Sequence, residues 1–175
     1  MNEFPTLNNV ELIQRIDSAN IFSYLRHFDR QVAQALTLSG QLDLEKWMGQ
    51  DIVTPRQVVL SGMGGSAIGG DLVRDLLGPE LEVPLLVNRS YSLPFVDSTT
   101  LVVLCSYSGN TAETLSCFSQ ARKAGARMIT ITSGGQLLEA SRRFATPVVL
   151  IPAGYPPRCT IGFISVLVLT LLARL

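Results

Sequence analysis

The chain has 175 residues, 47% hydrophobic and 16% charged, which fits one globular domain of ordinary size. Lys and Arg total 14 and Asp and Glu total 14, so the formal net charge is zero. A neutral chain offers no basic field for nucleic acid or for an anionic membrane surface, so any bound anion has to be held by local geometry.

The N-terminal residues, Met1-Asn2-Glu3-Phe4-Pro5, have neither the basic region nor the apolar run of a signal peptide. Residues 1–45 read as a helical segment. Val10, Leu12, Ile13 and Ile16 recur at helical spacing, as do Ile21, Phe22, Leu25, Phe28, Val32, Ala35 and Leu36, and Gly40 is a stop signal. A linker with Trp47, Gly49 and Pro55 leads into an α/β region, residues 46–155. There, residues 57–60 predict a short strand, 62–66 its turn, and 67–77 a helix stopped by Gly78-Pro79. Strands are predicted at 83–87 and 101–105, and a helix at 112–124. Residues 127–132 predict a further strand, Gly134-Gly135 leads to a short helix ending near Arg143, and 148–151 predict a last strand before Pro152.

Apolar strands alternating with helices predict a three-layer α/β sandwich. Its core is a mostly parallel five-stranded sheet of flavodoxin-like type, flanked by helices and preceded by the N-terminal helical segment. The remaining stretch, 156–175, holds an almost wholly apolar run at 161–173. It is shorter than the roughly 20 residues that span a bilayer. A helix buried on several sides is expected, yet nothing follows to bury it. It is therefore read as the start of a connecting helix toward a second domain, and its exposed face predicts a homodimer or pairing with a second half. Cys105, Cys117 and Cys159, an odd number with no CxxC pair, read as reduced thiols of a cytoplasmic protein.

Two turns carry the chemistry. Ser106-Tyr107-Ser108-Gly109-Asn110-Thr111 lies between a predicted strand and a predicted helix, where unpaired N–H groups and the positive end of a helix dipole attract a phosphate. Thr111 is placed as an N-cap or first-turn residue. One hydroxyl would be explained by capping alone. Three of them around a glycine exceed what a cap requires. Upstream, Gly62-Met63-Gly64-Gly65-Ser66 follows another strand. Gly64 and Gly65 allow close backbone approach to a sugar, and Ser66 adds a hydroxyl. With Ala67 this turn also matches a dinucleotide fingerprint, but the next strand ends Val87-Asn88-Arg89 with no carboxylate for a ribose. A nucleotide-binding oxidoreductase fragment that uses Arg89 on an NADP phosphate is the corresponding alternative. Finally, Tyr155-Pro156-Pro157-Arg158 sets an arginine on a rigid support after the last strand, placed to stabilise charge developing on a substrate oxygen.

The motifs GMGGSAIGGDL (62–72), SYSGNTAETL (106–115) and the proline-preceded Arg158 resemble the sugar isomerase (SIS) domain proteins. Within them, the chain looks like the first half of the bifunctional phosphoglucose/phosphomannose isomerases. The resemblance implies a hexose 6-phosphate substrate interconverted with fructose 6-phosphate, and it implies no metal or organic cofactor. It further implies that Ser66, Ser106, Ser108 and Thr111 hold the phosphate, that Gly64 and Gly65 lie against the substrate, and that Arg158 steadies an enediolate. The family's glutamate, histidine and late lysine belong to a second SIS half. The only histidine, His27, lies in the helical N-terminal segment, and Asp71 and Glu113 read as helix-end carboxylates. The chain alone is thus expected to bind sugar phosphate weakly and to be catalytically incomplete. A non-catalytic sugar-phosphate sensor module is the competing reading.

Overall fold

In the computed structural model, residues 9–40 and 54–175 are described. Three helices come first: α1 (Val10–Ile16), α2 (Ile21–Arg26) and α3 (Phe28–Gly40). The helical periodicity is broken into three pieces at Asp17–Asn20 and at His27. Asp17 accepts the N–H groups of Ile21 and Phe22 (2.7 and 2.8 Å), and Asn20 takes a left-handed conformation, φ 54°. Trp47 and Gly49 of the expected linker lie outside the described residues.

Then follow β1 (Gln57–Ser61), α4 (Gly65–Leu77), β2 (Leu85–Asn88), β3 (Thr100–Ser106), α5 (Ala112–Lys123), β4 (Arg127–Thr132), α6 (Gly135–Arg143), β5 (Val148–Leu150) and α7 (Ile161–Leu172). The strands form one sheet in the order β2-β1-β3-β4-β5, and every pairing is parallel. This is the doubly wound arrangement expected from the alternating pattern.

Central strand β3 is buried along its whole length, and its side chains alternate between two cores. Leu101, Val103, Cys105 and Tyr107 join the core beneath α3, α4 and α7, whereas Val102 and Leu104 join Cys117, Phe118 and Leu137 beneath α5 and α6. The period of two in a fully covered strand explains why 101–105 reads as continuous apolar sequence.

The expectation for the C-terminal apolar run is corrected. Helix α7 presents no bare apolar face. Phe163, Ile164, Leu167, Val168 and Leu171 are buried in the same core as the sheet. At about 2 kcal/mol for each large side chain buried, α7 is a main source of this layer's stability. Two glycines allow the close approach. A Cβ on Gly69 of α4 would stand 2.6 Å from Ile164 Cγ2, and one on Gly162 would stand 3.0 Å from Gln31 Oε1 of α3. The N-terminal helices precede this covering helix in sequence but lie beside it in space, which no local pattern announces. The exposed end on which self-association was expected is thereby removed. No helix among the described residues is long and apolar enough to cross a membrane.

Candidate functional site

The connection after β1 runs to α4 on one face of the sheet, and the connection after β3 runs to α5 on the other. β1 and β3 are neighbours, so the two chains part above them and leave a crevice at the carboxyl ends of the strands. Both glycine- and hydroxyl-rich turns lie at this switch point. Gly62 ties them together: a Cβ there would meet Cys105 O at 2.9 Å and Ser66 Cβ at 3.2 Å.

In the turn after β3, Gly109 adopts φ 69°. A side chain there would drive into the Gly134 carbonyl of the turn after β4. The Ser106 hydroxyl accepts the Gly109 N–H (3.1 Å) and shares a hydrogen bond with Thr111 Oγ1 (2.8 Å). Thr111 occupies the N-cap position as expected, but its hydroxyl turns to Ser106 and caps nothing. Among the described residues, the N–H groups of Ala112, Glu113 and Thr114 therefore remain unpaired, the first backbone bond of α5 running from Leu115 N to Thr111 O (3.0 Å). Ser108 is exposed and accepts the Asn110 N–H at 3.2 Å, which leaves its own proton to donate. Ser106 is almost fully buried, so it shapes the turn from beneath.

Gly64, exposed at φ 50°, and Gly65 open α4 without a side-chain cap, and Ser66 follows at 7% exposure. Gly65 is the contact with the third element. A Cβ on it would lie 2.9 Å from Pro157 O and 3.6 Å from Arg158 Cα. The Tyr155–Arg158 segment thus packs on the first turn of α4. Arg158 is exposed and, among the described residues, makes no ion pair. Among the described residues, the start of α5 leaves three N–H groups unpaired, the start of α4 carries no side-chain cap, and the backbone of Arg158 abuts α4, with no carboxylate bonded at either helix start, which is an environment for an anion.

Most of the remaining charges are engaged elsewhere, and Glu113 is the carboxylate that stays at the start of α5. Arg89, the residue the nucleotide alternative needs, is ion-paired to Asp71, and Arg74 bridges Asp71 (3.2 Å) and Asp75 (3.2 Å). His27 ends α2, with Nδ1 2.8 Å from Ser23 O. Glu113 is half-buried in the first turn of α5, and its charge reaches Cys117 one turn on. Burial pushes all three thiols up, which agrees with unreactive core cysteines. The residue that sequence reasoning missed is Tyr107, which joins the turn after β3 to the loop that carries Arg158. Its signal was present in the alternation Leu101, Val103, Cys105, Tyr107, which continues the inward register of β3 past the strand's end.

A bifunctional phosphoglucose/phosphomannose isomerase from Caldicellulosiruptor bescii is 46% identical over 120 residues, 68% of this chain and 35% of the relative. A D-glucosamine-6-phosphate 4-epimerase from Sulfolobus acidocaldarius is 39% identical over 125 residues, 71% of this chain and 38% of the relative. The chain thus spans well under half the length of these curated relatives. Among solved structures, tagatose-6-phosphate ketose/aldose isomerase from Escherichia coli shares the fold with a TM-score of 0.68 at 19% identity, over 86% of this chain and 46% of that one. The SIS domain model matches residues 52–174, from the segment before β1 through α7, and the chain belongs to the SIS domain family.

Proposed function

We propose that this chain forms the phosphosugar-binding part of an aldose–ketose isomerase. The substrate would be a hexose 6-phosphate, glucose 6-phosphate or mannose 6-phosphate, interconverted with fructose 6-phosphate. The observation that carries this is the meeting, at the β1/β3 switch point, of the α4 and α5 starts with the hydroxyls of Ser66, Ser108 and Thr111, beside the segment that carries Arg158 onto Gly65. The phosphate is received by Ser108, Thr111, Ser66 and the N–H groups that open α5, while Ser106 holds Thr111 in place and keeps a hydroxyl within the same network. Gly64, with nothing within 4 Å of a Cβ there, lets the sugar approach the backbone, while Gly65 makes room for the Arg158 segment. Arg158, carried by a segment that packs on the first turn of α4, supplies a charge to oppose the negative oxygen of an enediolate. The relatives named as an isomerase and as an epimerase change different bonds of a phosphorylated hexose, which fits a shared phosphate grip.

Proton transfer between C1 and C2 needs a base within hydrogen-bond reach of the carbon acid. His27, bonded to Ser23 O at the end of α2, is not at the turns. We therefore assign substrate grip and charge stabilisation to this chain, and proton transfer to groups outside its described residues. Calorimetric titration with fructose 6-phosphate tests the assignment, together with an isomerase assay on the same preparation. Binding that falls at least about tenfold in a Ser108→Ala, Thr111→Val variant, with little turnover, is the expected result. Unchanged affinity in that variant refutes the phosphate assignment. Turnover at enzyme-like rates refutes the catalytic division, and Glu113 becomes the first residue to replace.

A further inference from the structure

Tyr107 stands between the two exposed ends of the proposed site. Its backbone belongs to the turn after β3, where its carbonyl accepts both the N–H (3.0 Å) and the hydroxyl (2.7 Å) of Ser133 from the turn after β4. Its ring is buried in the core beneath α7. Its hydroxyl reaches the loop after β5, donating to Pro152 O (3.3 Å) and accepting the N–H of Tyr155 (2.7 Å). A buried tyrosine needs some partner for its hydroxyl. Here both partners are the two ends of one segment, 152–155, and that segment delivers Pro156-Pro157-Arg158 onto Gly65. From the other side the Tyr155 ring packs against Tyr24 (5.1 Å between centroids) and Phe163 (5.3 Å), and Tyr24 donates to Gly154 O (3.2 Å).

We propose that Tyr107 is a positioning residue for Arg158. It fixes the arginine loop to the same turn that receives the phosphate, so that, together with the Gly65–Pro157 contact, it sets the spacing between the phosphate grip and Arg158. The proposal rests on the reading of the site given above. Arg158 makes no ion pair of its own among the described residues. Its placement is therefore governed by its backbone, and Tyr107 is the side chain whose polar group is bonded to that backbone segment from the phosphate side.

The test uses the whole chain and two ligands that separate the two ends of the site. Inorganic phosphate probes the turn after β3. Arabinonate 5-phosphate adds a carboxylate that copies the charge of an enediolate and so probes Arg158. Tyr107→Phe keeps the buried ring and removes the hydroxyl. It should bind inorganic phosphate as the wild type does but arabinonate 5-phosphate about tenfold more weakly. Arg158→Ala should show the same split, and the double variant should be no weaker than Arg158→Ala alone, because the two residues act through one contact. Amide exchange of the ligand-free chain supplies a second readout. Pro156 and Pro157 carry no N–H, so a peptide over this loop reports Tyr155 with few neighbours, and its exchange should accelerate in Tyr107→Phe. Tyr107→Phe losses that add to those of Arg158→Ala, or a Tyr107→Phe chain with wild-type affinity for both ligands, overturn the proposal while leaving the site reading intact. An Arg158→Ala chain that binds arabinonate 5-phosphate normally overturns the role given to Arg158 and the proposal with it.

Discussion

Replacing Gly65 with alanine puts the contact between α4 and the arginine loop to a quantitative test. The added Cβ would lie 2.9 Å from the Pro157 carbonyl oxygen, whereas ordinary contact begins near 3.4 Å. The obstacle is backbone, held from behind by the Thr160 hydroxyl, which donates to that same oxygen at 2.8 Å. The loop must therefore move by about 0.5 Å. A misplacement of about 1 Å in a catalytic constellation costs up to about 100-fold, so half of that predicts roughly a tenfold loss of affinity for arabinonate 5-phosphate. Stability responds differently. Gly65 has helical backbone, and alanine there gains up to about 1 kcal/mol of helix propensity, which offsets much of the overpacking cost of about 1–3 kcal/mol. At roughly 2–4 °C per kcal/mol for a chain of this size, Tm should change by only a few degrees. Titration calorimetry beside a thermal melt separates the two effects. Wild-type affinity at unchanged Tm would refute the claim that the Gly65–Pro157 contact sets the position of Arg158.

Gly109→Ala should be far more damaging. Its Cβ meets the Gly134 carbonyl well inside any allowed contact, and φ 69° is unfavourable for alanine, so a loss above about 3 kcal/mol in a urea melt is expected. Gly69→Ala should lower stability by about 1–2 kcal/mol without touching the site, because the new methyl strikes the branched carbons of fully buried Ile164. A raised Tm would show that α7 yields freely. Burial raises the Cys105, Cys117 and Cys159 thiols above their ordinary value, so iodoacetamide at pH 8 should label the unfolded chain quickly and the native chain hardly at all. The same shifts fix the sign of a pH effect. The unfolded chain loses thiol protons first, so their stabilising contribution is full below about pH 8.5 and declines as pH rises above it, which chemical denaturation between pH 7 and 10 would reveal.

Much of the architecture was legible. The apolar run at 101–105 became β3, the Gly78 stop ended α4, and both hydroxyl- and glycine-rich turns fell at the carboxyl ends of strands, because each depends on periodicity and turn chemistry within a few residues. Other parts were not. The Thr111 hydroxyl faced a choice between capping α5 and meeting Ser106, and only the folded turn shows that it meets Ser106. Arg89 looked available for a phosphate until α4 placed Asp71 against it. Apolar run 161–173 looked unburied because its cover, α3 and α4, comes from residues tens of positions earlier.

The sequence by itself determined the class of the fold and pointed to the anionic ligand proposed here. Strand and helix periods are local, and uncapped N–H groups beside hydroxyls attract anions wherever they occur. Tertiary structure alone decided that β1 and β3 are neighbours, that Gly65 carries the Arg158 loop, and that Tyr107 spans from the turn after β3 to the loop after β5. Those contacts join residues 40 or more positions apart, and which of them form depends on how the two faces of the sheet are covered, a property of packing that no short stretch of chain encodes.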